Sequence, residues 1–287
     1  MVDYNPKSWW KLIFMLHKSD TFRILLPTMG LLGIYTAGLA YVETQIMEIP
    51  PKNPTVVHSL VGFVLSMLLV FRTNTAYDRW WEGRRLWGSF TNNSRNLALK
   101  LSVLVKDEAT LERLRILITN YVFAAKEHLR SGVHLEHLEE TDKYKKDFYG
   151  AISHVPNQIM KAIYQEVQEL VDNKTITQEQ MLYLNAELQS FTDNIGACER
   201  IKKTPIPYAY SLFLKKFIFI YVLTLPIGFV LEFKYWAILI VTMVFYAFAS
   251  IELIAEEIEN PFGTDANDLP LDTICNNIKA NLKEILP

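Results

Sequence analysis

The chain has 287 residues, of which 50% are hydrophobic, and its mean hydropathy is +0.10. Its formal net charge of −2 gives no reason to expect nucleic acid or another acidic polymer as a partner. Because the apolar residues are concentrated in a few long runs, the composition points to a protein that crosses a membrane.

The predicted membrane helices are four apolar runs, at residues 22–42, 56–71, 217–231 and 235–253. The sequence between the second and third runs, and after the fourth, is polar with helical periodicity. We therefore predict an all-α membrane protein with four transmembrane helices per subunit. A cytosolic helical bundle, residues 72–204 and 254–287, completes what we expect to be one unit over residues 1–287.

Basic residues indicate which ends of these helices face the cytoplasm. They are concentrated before the first run, directly after the second and directly before the third. The short loops after the first and third runs hold few. Because positively charged segments stay on the cytoplasmic side, both termini and the long middle region are predicted to be cytoplasmic. The chain is thus expected to be a multi-pass protein of the cell membrane, embedded in the lipid bilayer.

The second apolar run carries a stripe of large side chains. Phe63, Met67 and Phe71 recur at intervals of four residues and so lie on one face of a helix. If several subunits brought this face to a common axis, the three residues would form an apolar pore neck, which can gate ions by excluding water. The alternative is that the stripe packs against a neighbouring helix, and the spacing alone favours that alternative.

The same helical face continues into polar residues. Further steps lead from Phe71 through Asn74 or Thr75 to Asp78 and then Glu82. In several subunits around a pore, these residues would form rings of carboxylates that charge the vestibule negatively. Such rings would favour cations. Several arginines follow in the same segment and are close enough to neutralise these carboxylates by ion pairing.

The middle of the chain carries helix signals. Gly132 is predicted to end one helix, and Thr177 with Gln180 forms a capping box at the start of another. From that capping box onwards the apolar residues follow a heptad: Met181, Leu184, Leu188, Phe191, Ile195 and Cys198. The histidines and glutamates of residues 134–140 are predicted to form a solvated turn rather than a metal site. The two cysteines, the second being Cys275, are predicted to be reduced core residues.

A short proline-rich segment precedes the third membrane helix. Pro205 and Pro207 flank Ile206, and each proline disfavours the helical conformation in the residue before it. The segment is therefore predicted to be extended, as a rigid entry to the helix.

Residues 256–272 form a segment rich in carboxylates, the oxygen ligands that Ca²⁺ prefers. Counted from Asp265, however, the glycine and the closing glutamate of an EF-hand are missing. Asp268 has a structural alternative, since it stands just before Pro270 and could cap the amphipathic C-terminal helix that follows.

Three segments together resemble a known family: FRTNTAYDRWWEGRRLWG, ERIKKTPIPYAY and IAEEIENPFGTDANDLPLD. With them the chain resembles the bestrophin family of pentameric ion channels, over nearly its whole length. The resemblance implies a homopentamer around a central pore, lined by the second membrane helices, through which small monovalent ions pass. Animal members resemble chloride channels, whereas bacterial relatives can favour cations. We incline towards Na⁺ and K⁺ for this chain.

The resemblance also implies roles for individual residues. Ile206 would form a second constriction, the pore aperture at the cytosolic exit. In animal bestrophins the matching loop holds calcium through backbone oxygens and two aspartates, which fall here on Asp265 and Asp268, with the turn residue Asn260 also present. Two uncharged residues between these aspartates interrupt the acidic run of the family. No cofactor is expected to be required, and Ca²⁺ is a candidate ligand.

Other classes of function find less support in the sequence. The motifs GxGxxG, GxxxxGK[ST], HExxH and GxSxG of common enzyme classes do not occur, so an enzyme is not expected. A secondary transporter would call for ionisable residues at the centres of its membrane helices, which the apolar runs lack. An accessory or scaffold protein of the membrane stays an open alternative.

Overall fold

The computed structural model describes residues 21–46 and 55–287, so the basic N-terminal residues that contribute to the predicted orientation lie outside the described residues. The described residues form helices without a strand. We number the α-helices as α1 (Thr21–Tyr41), α2 (Thr55–Leu104), α3 (Glu108–Leu129), α4 (Lys146–Tyr149), α5 (Val155–Asp172), α6 (Gln178–Lys203), α7 (Tyr208–Phe233), α8 (Trp236–Glu259) and α9 (Leu271–Ile285). A π-helical turn, Val42–Ile46, extends α1.

Among the described residues, four helices are long and apolar enough to cross a membrane: α1 with its π-helical turn, α2, α7 and α8. They confirm the predicted all-α membrane protein with four transmembrane helices. Each of the last three continues beyond its apolar run, because helical structure does not stop where polarity begins. Helix α7 starts at Tyr208 instead of residue 217, and α8 runs to Glu259 instead of residue 253.

Helix α2 is a single helix of 50 residues. No proline occurs between Thr55 and Leu104, so nothing interrupts its backbone hydrogen bonds. At 1.5 Å per residue it is about 75 Å long. The apolar run of residues 56–71 and the polar residues after it therefore share one helix, which makes side-chain direction predictable along both.

The chain divides into two compact units, of which the first contains the described residues up to Trp80, Pro205–Asn260 and Asp265–Asn267. Its main core joins Leu65 and Leu69 of α2 to residues of α7 and α8. Gly62 lets α2 approach α7 closely, since a Cβ atom there would lie 2.6 Å from the Tyr221 hydroxyl oxygen. These contacts fix which face of α2 points into its own subunit.

The second unit contains Trp81–Thr204, Pro261–Thr264 and Asp268–Pro287. Helix α3 packs against α5, α6 and α9 in this unit. Three buried aromatic rings, of Phe90, Tyr121 and Phe191, contact one another, with the Tyr121 and Phe191 ring centroids 5.2 Å apart. The Tyr121 hydroxyl group donates a hydrogen bond of 2.8 Å to the Phe191 carbonyl oxygen, so the polar tip of this ring is satisfied inside the core.

Several local predictions are confirmed in this second unit. Thr177 and Gln180 form the capping box at the start of α6, and Gly132 adopts a φ of +109° just after α3. Five of the six heptad residues are buried and Met181 is half-buried. Both Cys198 and Cys275 are free and buried.

Candidate ion pathway

The predicted pore neck lies on an exposed face of α2. Phe63, Met67 and Phe71 expose 63%, 46% and 58% of their surface within the subunit. By contrast, Leu65 and Leu69 on the opposite side of the helix are almost completely buried. The stripe therefore does not pack against another described helix of its own subunit, and its apolar surface is free for a lipid, for water or for further subunits.

Directly after the neck, Arg72 is buried in an ion-pair network. Only 1% of its side chain is exposed. Its Nη2 atom lies 2.6 Å from Oε2 of Glu259, and its Nε atom lies 3.8 Å from Oε2 of Glu252. Two carboxylates of α8 thus face one guanidinium of α2, a cluster that must stay paired because isolated buried charge is strongly unfavourable.

The predicted aperture residue is held by the same network. Ile206 is half-buried, and its backbone N–H donates a hydrogen bond of 2.6 Å to Oε1 of Glu259. It lies between the end of α6 and the start of α7, and Pro207 has extended dihedral angles of −52° and 128°. The segment between the two helices is not helical, and Pro207 is extended, as predicted. The carboxylate of Glu259 therefore links the segment of Ile206 to the neck helix through Arg72.

The two predicted vestibule acids have different surroundings. Asp78 is exposed on α2 in the first unit. Glu82 is also exposed but lies 3.3 Å from Arg200 of α6, measured from Oε1 to Nη2. The neutralising arginine thus comes from a distant part of the chain rather than from the segment around Glu82. Arg79 of that segment donates instead to the backbone carbonyl of Glu259, at 3.1 Å.

The residues predicted to bind calcium lie in the turns between α8 and α9. Asn260 follows the last residue of α8 and is exposed, as is Asp265, whereas Asp268 is buried. Helix α9 has Pro270 at its N-cap position without a capping bond from a side chain, so Asp268 is not its N-cap residue.

Asn267 of this turn region has two hydrogen-bond partners within the first unit. The Trp80 indole N–H donates to the Asn267 carbonyl oxygen at 3.0 Å, and the Asn267 side-chain amide donates to Glu257 at 2.6 Å. The donor set, carboxylates with backbone carbonyls, has the oxygen chemistry that calcium prefers.

Two of the segments that carry the family resemblance meet in the second unit. The ring of Phe262 is fully buried, and a Cβ atom on Gly83 would lie 3.1 Å from both Phe262 and Pro261. A larger residue at position 83 would require the side chains of Pro261 and Phe262 to shift by a few tenths of an ångström.

Comparison with known families identifies the chain. A family model described as Bacterial/Fungal Bestrophin protein matches residues 1–284. The chain belongs to the bestrophin family. This membership confirms both the predicted resemblance and the expectation that the chain is a channel protein and not an enzyme.

Individual relatives show how closely this bestrophin resembles known proteins. A voltage-dependent anion channel-forming protein of Nostoc sp. is 40% identical over 83% of this chain and 80% of the relative. Another protein of that description, from Escherichia coli strain K12, is 28% identical over 99% of this chain and 94% of the length of that relative. A solved bestrophin homologue from Klebsiella pneumoniae superimposes with a TM-score of 0.83 at 27% identity, covering 91% of this bestrophin and 98% of the homologue.

The network of Arg72, Glu252 and Glu259 is not among the features predicted from the sequence. A signal for it exists, because a charged residue within or directly beside an apolar helix must find a partner. The partners are 180 and 187 residues away from Arg72 in sequence, so spacing rules could not select them.

Proposed function

We propose that this bestrophin assembles as a homopentamer in the cell membrane and passes small monovalent ions passively through a central pore, with both termini cytoplasmic. The exposed stripe of Phe63, Met67 and Phe71 is the observation that carries the proposal. Five copies of α2 around one axis would cover the stripe and make it the pore neck. The number five comes from the family.

Polar neighbours favour a pore over lipid as the environment of this stripe. Ser66, Asn74 and Thr75 are exposed on α2 together with the stripe, and Asp78 follows two turns after Phe71. The Ser66 and Thr75 hydroxyl groups donate to backbone carbonyls of α2, but hydrocarbon would disfavour the amide of Asn74 and, above all, the carboxylate of Asp78. A water-filled path beyond an apolar constriction accommodates all of them.

The sign of the permeant ion depends on the charges near this path. Five exposed Asp78 carboxylates would favour cations such as Na⁺ and K⁺, while the ion pair with Arg200 reduces the contribution of Glu82. We propose a preference for cations on this basis. The names of the relatives from Nostoc sp. and E. coli support the second candidate, an anion channel. The reversal potential in a KCl gradient decides by its sign.

Liposomes that contain only this chain provide the test of the function. We expect passive ion flux that requires no exchanged substrate, from a preparation whose mass in detergent equals five subunits. Absence of flux would point to a scaffold protein, and flux that depends on a counter-substrate would point to a secondary transporter. A monomer or dimer as the only active form would contradict the homopentamer.

Ile206→Ala tests the proposed pore aperture. The backbone bond to Glu259 holds this residue in place without involving its side chain, so alanine should leave the segment in position. A ring of apolar side chains makes ions shed part of their hydration. We expect the variant to change the relative permeability of ions of different hydration more than the open probability. Single-channel recording would contradict the assignment if both quantities matched the parent protein for every ion.

Calcium binding by residues 260–268 is a separate proposal, with Asn260, Asp265 and Asp268 as ligands. A ligand that binds only the folded state raises its stability by mass action. We expect Ca²⁺ to raise the melting temperature, Mg²⁺ to do so much less, and the double variant Asp265→Ala, Asp268→Ala to lose the increase. Equal melting temperatures of the unmodified protein in calcium and in chelator would exclude the proposal.

A further inference from the structure

Two histidines and one glutamate from three helices of the second unit meet at one point. His128 lies in the last turn of α3, His154 is the N-cap residue of α5, and Glu199 lies near the end of α6. Their imidazole Nε2 atoms are 2.8 Å and 2.6 Å from the same oxygen, Oε1 of Glu199. Among the described residues, this group brings three potential metal-ligand atoms within 4.8 Å of one another.

The exposure of the cluster allows an ion to enter. The side chains of His128, His154 and Glu199 are 25%, 28% and 17% exposed, so they are held by their surroundings without being sealed from water. Lys203 lies 3.3 Å from the other carboxylate oxygen of Glu199, but its own side chain is 70% exposed and can turn away. The lysine therefore does not block the site.

We propose that His128, His154 and Glu199 bind a divalent transition-metal ion, with zinc as the best fit. Two imidazole nitrogens select zinc and its neighbours over calcium and magnesium, which prefer oxygen ligands. Two histidines and one carboxylate leave the fourth tetrahedral position of zinc to water. The helices α3, α5 and α6 would then be joined by one metal ion within the second unit.

Binding requires a change of tautomer at His128 and at His154, because a carboxylate oxygen only accepts and each Nε2 atom therefore carries the proton of its hydrogen bond to Glu199. At His154 a second hydrogen bond is involved. Its Nδ1 atom accepts a hydrogen bond from the backbone N–H of Asn157 at 3.2 Å, which places the proton of the metal-free neutral ring on Nε2. Coordination through Nε2 moves this proton to Nδ1 and breaks the capping bond. Three hydrogen bonds are lost, the capping bond and the two imidazole bonds to Glu199, and three metal–ligand bonds replace them.

A second pair of histidines nearby supplies a matched control. The His134 and His137 rings are 5.4 Å apart, but they pair with different carboxylates. His137 lies 2.8 Å from Glu127, whereas His134 lies 3.4 Å from Glu136. This pair therefore lacks the shared carboxylate oxygen, in agreement with the predicted solvated turn.

The test is a titration of the intact, metal-stripped oligomer in detergent with Zn²⁺ against a chromophoric chelator. We expect one zinc ion per subunit, with an affinity that falls on the order of 100-fold in His128→Ala and in His154→Asn. Asparagine at 154 preserves the cap of α5, because its side chain is a good N-cap acceptor. His137→Ala should bind zinc as the parent protein does.

Two results would overturn the proposal. One is that the unmodified protein binds no zinc. The other is that both single variants, His128→Ala and His154→Asn, bind zinc with the affinity of the parent protein. If a variant fails to fold, Co²⁺ added to the unmodified protein supplies the second measurement. Intense visible absorption indicates tetrahedral imidazole coordination, and its absence counts against the site. Each readout is binding, so the result is independent of whether the protein conducts ions.

Discussion

Alanine at all three neck positions is expected to raise ion flux through the reconstituted protein by at least ~10-fold. From Phe63 to Phe71 there are eight residue steps, or about 12 Å of helix axis, which is longer than the first hydration shell of an ion. An ion in this dry neck loses polar partners at a cost of several kcal/mol. Each 1.4 kcal/mol removed from that barrier raises the rate about tenfold.

The subunit should tolerate this triple variant. The three side chains are exposed within the subunit, so shortening them leaves its own core unchanged. Since the neck has no charge, the relative permeability of ions should change little. Both expectations can be measured on one preparation. The mass of the detergent-solubilised oligomer reports whether the variant assembles, and flux assays report the relative permeability of ions.

Leu65→Ala and Leu69→Ala are the matched controls, because they shorten apolar residues of the same helix on its buried face. Each is expected to cost about 2–5 kcal/mol of stability without raising flux. The pore assignment is wrong if the neck variant behaves like these controls, with a lost assembly and no added conductance. The stripe would then be a packing surface between helices.

Arg72→Ala is expected to cause a large loss of stability. It leaves the buried carboxylate of Glu252 and the half-buried carboxylate of Glu259 without their guanidinium partner. Breaking a buried ion pair by removing one member typically costs about 3–5 kcal/mol. The melting temperature of the oligomer in detergent should fall accordingly. Loss of the Arg72 side chain should also leave the Glu259 carboxylate less firmly held, and this carboxylate accepts the hydrogen bond from the backbone N–H of Ile206.

An exposed ion pair of the same unit gives the comparison. Lys215 lies 2.8 Å from Glu256, and their side chains are 47% and 51% exposed. Because water already solvates both groups, Lys215→Ala should cost less than about 1 kcal/mol. Combining Arg72→Met with Glu252→Gln and Glu259→Gln should recover most of the lost stability, since no charge stays buried. Equal melting temperatures of Arg72→Ala and Lys215→Ala would refute the importance of the network.

Local features of the fold could be predicted from the sequence because their causes are local. The capping box of Thr177 and the turn at Gly132 depend on neighbouring residues, and helical periodicity placed Phe63, Met67 and Phe71 on one face. Helix ends were less predictable. Hydropathy marks only where a helix leaves the apolar layer. The helix itself begins and ends where capping or proline limits its hydrogen bonds, and Pro207 marks the start of α7 in this way.

Long-range partners could not be read from spacing. The histidines and glutamates of the charged turn around His134 are close in sequence, which made this turn the candidate metal site to weigh. The structure instead brings His128 and His154 to Glu199, although they lie 71 and 45 residues before it in the chain. The pairing of Glu82 with Arg200 has the same character, with a separation of 118 residues. Many arginines were available to each acid, and only the tertiary fold selects among them.

The two buried cysteines make the chain suited to mapping by thiol-reactive labels. Burial raises the pKa of the Cys275 thiol to about 12 and also raises that of Cys198, so neither presents a thiolate to a reagent at neutral pH. A cysteine introduced at Phe63 or Asp78 would thus be the reactive one, without prior removal of the native pair. Its rate of modification from each side of the membrane would report, position by position, where water reaches.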